Sequence, residues 1–237
     1  MKKVLFLCLL SATGSYSAFA QKPKPAPAAP GKPVLTNSID SFSYAVGLSV
    51  AGSLQEQGVG KVNTQLIARG INEALANQKT LLTKEQANMT LQQKLQEYAK
   101  NKVNAEKARG AAYMEQNKKR KEVVSLPNGL QYEVMQSGEA GGPKPTAKDT
   151  VVVHYTGTLV DGTVFDSSVQ RGEPATFPVG GVIQGWTKIL QLMTKGDKWK
   201  VVIPSELGYG DNGAGHTIKP GATLIFEINL IDIKPAQ

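Results

Sequence analysis

Residues 151–186 read VVVHYTGTLVDGTVFDSSVQRGEPATFPVGGVIQGW. The opening run alternates, with Val151, Val153 and Tyr155 on one face of a strand and Val152, His154 and Thr156 on the other. Asp161-Gly162 is a tight-turn pair between two β-rich runs, so the segment reads as a hairpin. The returning run, Thr163 to Asp166, ends on an aromatic beside a carboxylate. Gly185 opens a short helix with Trp186, Leu190 and Met193 at the spacing of one face. Tyr155, Phe165, Asp166 and Trp186 thus converge on an aromatic cup with few polar groups, a form suited to small or extended ligands.

Outward from this stretch the pattern stays that of strands. Leu130, Tyr132 and Val134 alternate, as do Trp199, Val201 and Ile203. In the last strand Leu224, Phe226, Ile228 and Leu230 share a face, opposite Thr223, Glu227 and Asn229, with Ile225 an apolar exception. The phase slips at Ile231-Asp232-Ile233, where the strand bulges or ends. One apolar and one mostly polar face predict an antiparallel sheet wet on one side. The short helix covers the dry face, which makes the class α+β.

Residues 38–122 differ: they are rich in Ala, Gln, Leu, Lys and Asn and contain no Pro. Phe42, Ala45, Val46, Val50 and Leu54 form one helical stripe, starting near Ser38 and Asp40; Leu66, Ile67, Ile71 and Leu75 form another, with Thr64 as its expected cap. Gly47 and Gly52 lie in the first, where close helix approach would justify them. A third run starts at Thr83 with a capping box to Gln86 and turns polar all round after Val103, as connectors between packed bodies do. Its roughly 40 residues span about 60 Å. Neither stripe can bury itself in a single chain, so pairing through a second copy is expected.

Residues 1–20 read as a secretory signal: Lys2 and Lys3, an apolar core from Val4 to Leu10, and a cleavage site at Ala18-Phe19-Ala20. A lipoprotein signal using Cys8 fits less well, because Cys8 lies inside the apolar core. Cleavage removes that single cysteine, and with it disulfide and thiol chemistry. It also lowers the net charge from +8 to +6. The basic stretch 100–122 has Tyr113 as its one aromatic, so a solvated helix face is the reading, without nucleic acid as a partner. Residues 21–37 form a Pro/Ala/Lys tether. With two histidines, His154 and His216, no metal site and no cofactor are expected.

HYTGTL (154–159), DGTVFDSS (161–168), VIQGW (182–186), IPSELGYG (203–210) and ATLIFEINL (222–230), in this order, resemble the FKBP family of macrolide-binding peptidyl-prolyl isomerases. SFSYAVGLSVA (41–51) and AYMEQNKKRKEVVSLPNGLQYEV (112–134) resemble its FkpA/Mip-type branch, in which N-terminal helices dimerise and a long helix carries the isomerase domain. The resemblance implies a helical dimerisation segment with connecting helix over 38–122. It implies a curved antiparallel sheet wrapped over one short helix over 123–237. It assigns a catalytic set of Asp166, Tyr209, Phe226 and Tyr155. Phe165, Arg171, Phe177, Val182, Ile183, Trp186 and Ile218 would contact substrate: Trp186 as floor, Ile183 through its N–H, Arg171 paired with Asp166, and Ile218 over the pocket. Taken singly, Trp186 reads as core and Asp166 as a turn carboxylate; the ordered motifs overturn both readings.

The implied activity is cis-trans isomerisation of X–Pro bonds in unfolded or partly folded polypeptides, inhibited by macrolides of the tacrolimus/rapamycin type. Ala175, where eukaryotic relatives carry an aromatic, and the loop DNGAGHT (211–217), without a match for their His, loosen macrolide binding. The signal places the chain in the periplasm, with association to the outer membrane left open. The alternative is a non-catalytic chaperone that holds unfolded chains in the same cup.

Overall fold

A computed structural model describes residues 35–236; the leader and the tether up to residue 34 lie outside the described residues. The chain divides into two compact units at Ser49 and Val50, inside helix α1 (Ser38–Glu56). Up to Ser49, α1 presents Ile39, Phe42, Tyr44, Val46 and Leu48 to solvent. The helix starts at Ser38, as read, and its first turn is tied by the Asn37 side chain, which accepts from the Asp40 N–H at 2.9 Å.

The second unit begins with the end of α1, then α2 (Thr64–Leu75) and α3 (Lys84–Asn117). Asn63 caps α2 in place of Thr64, accepting from the N–H groups of Gln65 and Leu66. Thr83 and Gln86 form the capping box on α3. No side chain of α2 is buried, and Leu66, Ile71 and Leu75 remain exposed.

The rest is one antiparallel sheet. Its strands are β1 (Val123–Ser125), β2 (Gln131–Gln136), β3 (Thr150–Leu159), β4 (Val164–Ser167), β5 (Ala175–Pro178), β6 (Lys198–Ile203) and β7 (Leu224–Lys234). The order is β1-β2-β6-β7-β3-β4, with β5 also on β3. Helix α4 (Ser168–Arg171) follows β4, and α5 (Gln184–Leu190) covers the apolar face. Val151, Val153 and Tyr155 of β3 are buried, as their alternation predicts, with Trp199, Val201, Ile203, Leu224, Phe226, Ile228 and Leu230. Met193 is buried too, but in the turn beyond α5. The slip near Ile231 is a bulge: Val152 faces Asp232, whereas Val153 faces Leu230.

Two expectations change. The sheet's other face is dry at one end, where Gln131, Val202 and Ile225 stand side by side and are all buried. Helix α3 runs there. The Gln131 side chain donates to the Met114 carbonyl at 3.0 Å and accepts from the Asn117 amide at 2.9 Å. Ile225 is therefore no exception to the pattern but part of a second, smaller apolar patch. Nor is α3 a free connector to residue 122. It ends at Asn117, and its later turns are docked: a Cβ on Gly110 would overlap the Thr223 side chain, and one on Gly221 would stand 2.8 Å from the Val103 carbonyl.

Candidate active site

The register sets the inner face row by row. Tyr132, Val201, Phe226, Gly157 and Asp166 stand opposite one another across β2, β6, β7, β3 and β4. Between Gly157 and Thr158 the pairing shifts: Gly157 faces Asp166, but Thr158 faces Val164, so Phe165 is an extra residue in β4. Regular alternation would send Phe165 and Asp166 to opposite faces. The bulge turns both toward the same cavity, and Gly157, lacking a side chain, leaves room for the Phe165 ring.

That cavity is about 340 Å³ and is lined by Tyr155, Phe165, Asp166, Phe177, Gly181, Val182, Ile183, Trp186, Tyr209 and Phe226. Trp186, 4% exposed, forms the floor. It meets Tyr155 (5.2 Å, 90°), Phe177 (5.8 Å, 86°) and Phe226 (5.2 Å, 84°) edge to face. Phe165 meets Phe226 in the same way at 5.5 Å and 86°. Perpendicular contacts at these separations are the favoured aromatic geometry, worth about 0.5–1.5 kcal/mol per pair beyond burial. These contacts hold the rings against one another around Trp186 and Phe226.

Polar groups gather at one side. The Tyr155 hydroxyl donates to the Asp166 carboxylate, and Arg171 forms an ion pair with the same carboxylate. A second Arg171 nitrogen donates to the Tyr155 oxygen at 3.1 Å, with the guanidinium 5.7 Å from the Tyr155 ring centre. Local structure places Arg171 there. Ser167 caps α4 by accepting from the Gln170 N–H, and Gly172, at φ 80°, ends the helix one residue past the arginine. The buried Ser168 hydroxyl accepts from the Tyr155 N–H at 2.8 Å and meets His154 Nδ1 at 3.1 Å, so His154 and the Tyr155 backbone anchor the start of α4 on β3. Burial pushes the Asp166 carboxyl up, but the Tyr155 hydroxyl and Arg171 outweigh it and hold it below the usual carboxylate value. The Tyr155 phenol is raised, by burial first and by the Asp166 carboxylate second.

Several donors of the lining have no partner among the described residues, the buried Trp186 Nε1–H on the floor being one. The Ile183 N–H, just ahead of α5, and the hydroxyl of Tyr209, which is 41% exposed, have no hydrogen-bond partner among the described residues. The described residues hold no cluster of three or more His, Cys, Asp or Glu able to bind a metal.

Residues 141–231 match the family model described as FKBP-type peptidyl-prolyl cis-trans isomerase. Residues 39–134 match the domain amino terminal to FKBP-type peptidyl-prolyl isomerase. The chain is 43% identical to the FKBP-type peptidyl-prolyl cis-trans isomerase FkpA of Aeromonas hydrophila, over 94% of this chain and 86% of that one. It is 42% identical to the outer membrane protein MIP of Legionella longbeachae, over 85% and 88%. The chain belongs to the FKBP-type peptidyl-prolyl cis-trans isomerases. The crystal structure of FkpA from Escherichia coli superposes with a TM-score of 0.65 at 37% identity, covering 86% of this chain and all of that one.

As an FKBP-type isomerase the chain catalyses rotation about X–Pro bonds. Of the residues singled out in its sequence, all but Arg171 and Ile218 line the cavity. Arg171 pairs with Asp166, and Ile218 is buried in the core cluster, its backbone paired with Ala214. Sequence reasoning missed Gly181 in the lining, the Tyr155–Asp166 hydrogen bond and the role of Gly157. A glycine in the middle of a strand was the available signal for the last.

Proposed function

We propose that this isomerase works on proline-containing unfolded or partly folded chains outside the cytoplasm, as a dimer joined by its N-terminal helices. The observation that carries the catalytic reading is the pairing of a preformed aromatic cup with two unengaged donors, the Ile183 N–H and the Tyr209 hydroxyl. Rotation about an X–Pro bond crosses a barrier of about 18–20 kcal/mol because amide resonance is lost. Water favours the planar, more polar ground state. A proline seated on Trp186 is stripped of that water, while Ile183 and Tyr209 hold the flanking carbonyls in the twisted form. Each 1.4 kcal/mol of preference for that form accelerates rotation about tenfold.

In this reading Tyr155, Asp166, Tyr209 and Phe226 are the catalytic groups. Asp166, pinned by Tyr155 and Arg171, contributes a fixed dipole and no proton transfer. Phe165, Phe177, Val182, Ile183 and Trp186 shape the seat, Arg171 holds the rim and Ile218 backs the loop beside it. The same cup would take macrolides of the tacrolimus/rapamycin type.

The dimer reading is supported by the exposed Phe42, Leu66, Ile71, Leu75 and Leu81. Covering each such side chain contributes about 1.5–3 kcal/mol. Among the described residues a Cβ on Gly47 or Gly52 meets nothing within 4 Å, which leaves room for another helix. Export is supported by the leader read at 1–20 and by the likeness to the outer membrane protein MIP of Legionella longbeachae. Among the described residues no helix is long and apolar enough to cross a membrane.

The test is a tetrapeptide isomerisation assay with and without a macrolide, run beside refolding of a protein limited by proline isomerisation. Macrolide-sensitive acceleration of both is expected. Acceleration of refolding without any turnover of the peptide would favour the holding chaperone instead.

A further inference from the structure

The segment 204–223 joins β6 to β7 and carries Tyr209. Its internal backbone bonds are local ones: Leu207 N–H to the Pro204 carbonyl at 3.0 Å, Gly208 and Gly210 N–H to the Ser205 carbonyl at 3.0 and 2.8 Å, Gly221 N–H to the Gly210 carbonyl at 2.9 Å, Ala222 N–H to the Lys219 carbonyl at 3.1 Å, and the Ala214–Ile218 pair. Nothing among the described residues holds the Tyr209 hydroxyl, so the ring goes where the backbone around it goes. That backbone is gripped from outside the sheet. Lys107 Nζ of α3 lies 2.7 Å from Asp211 Oδ1 and 3.2 Å from Glu206 Oε1. Glu206 precedes Tyr209 by three residues and Asp211 follows it by two, so one ammonium closes a ring across the tyrosine. The Lys107 stem packs on Gly221 at the far end of the same segment.

We infer that Lys107 is a positioning residue for Tyr209, so that the long helix completes the isomerase site as well as carrying it. This rests on the catalytic role proposed above for Tyr209. The neighbouring cations on this stretch have other duties. Arg109 and Lys118 pair with Glu106 and Glu115 on their own helix, and Arg120 pairs with Glu133 of β2. The two carboxylates also raise the Lys107 pKa, hydrogen bonding to Asp211 first, so the ammonium stays charged through the neutral range. Exposed ion pairs add little to global stability. Their effect here is local: Ile218 and Ala222 anchor the far part of the segment in the core and Leu207 packs against it, so the ion pairs act on the exposed stretch around Tyr209.

The experiment uses the full chain and a chromogenic tetrapeptide with one central X–Pro bond. Lys107→Ala should lower kcat/KM about fivefold, well short of the ~10²-fold cost of a 1 Å misplacement of a catalytic group, with Tm unchanged. Lys107→Arg should restore most of the loss, and Lys118→Ala should match the parent. The double variant Glu206→Gln, Asp211→Asn should reproduce Lys107→Ala and carries the test if that variant fails to fold. At about 1 M salt, where the screening length is about 3 Å, the parent should fall toward Lys107→Ala while that variant hardly moves. In a Tyr209→Phe background, Lys107→Ala should add nothing, because both act through one group. Unchanged kcat/KM in Lys107→Ala, with Tyr209→Phe impaired, overturns the inference and leaves the site intact. An undiminished loss in the Tyr209→Phe background overturns it as well. A folded Tyr209→Phe with full activity removes the site reading on which it rests.

Discussion

The ring of Phe165 rests on the backbone of Gly157: a Cβ there would stand 2.6 Å from Cε2 and Cζ of that ring and 2.9 Å from Cε1 of Phe226. Gly157→Ala should therefore push both rings out of the cup. Overpacking of this kind costs about 1–3 kcal/mol. The expected result is a lowered urea midpoint together with a fall in peptide turnover of at least about tenfold. Full turnover in a folded Gly157→Ala protein would show that the ring arrangement is dispensable.

The acid side of the activity profile tests the polar rim. The Asp166 carboxyl is held below its ordinary value, so its charged, hydrogen-bonded form persists through the usual carboxylate range and is lost only as pH falls through the depressed folded value. The acid fall in turnover of the folded enzyme should therefore set in at lower pH than an ordinary aspartate would give. In Arg171→Leu the carboxyl loses a counter-charge and its pKa rises, so the acid loss should begin at higher pH than in the parent. Coincident profiles would remove Arg171 from the rim.

Alanine substitutions at the two ends of the cup should separate catalysis from packing. Tyr209 is largely at the surface, so Tyr209→Ala should lower turnover with little change in Tm. Phe226 is 4% exposed and belongs to the core as much as to the cavity. Phe226→Ala should cost about 3–5 kcal/mol of stability along with activity. Thermal melts paired with peptide assays decide this. A stable Phe226→Ala protein would contradict the packing described.

Truncation should distinguish the two roles of the helices. A fragment beginning near Leu95 keeps the docked turns of α3 and should be monomeric, with peptide turnover near that of the full chain but weaker action on refolding proteins. A fragment beginning near Val123 uncovers Val202, Ile225 and Thr223 and leaves the buried Gln131 amide without its partners. It should melt lower and turn over peptide more slowly. Sedimentation velocity with paired peptide and refolding assays tests both. A monomeric full chain would refute the dimer, and identical behaviour of the two fragments would refute the docking.

Alternation made the sheet legible in the sequence, because each inward position of β3, β6 and β7 must shun water. The Thr83–Gln86 box was legible for a local reason as well, since a cap needs no tertiary partner. The docking of α3 was hidden. Its contacts run through Gly110, Gly221, Asn117 and Lys107, none of which adds to an apolar stripe. The convergence of Phe165 and Asp166 was named from motif likeness, but its cause, an unpaired residue in β4, leaves no mark on periodicity. The cap of α2 moved by one residue because Asn63 and Thr64 compete for the same N–H groups.

The strand order bears on when this sheet can form. β7 comes last among the strands, yet it alone joins β1-β2-β6 to β5-β3-β4, with Leu224 opposite Leu159 and Lys234 opposite Thr150. Until it arrives, the two halves have no backbone pairing between them and the aromatic rings have no common frame. Closure is one late, long-range event, the slow kind for a sheet. A chain threading through a narrow channel therefore cannot join its two half-sheets until β7 has emerged.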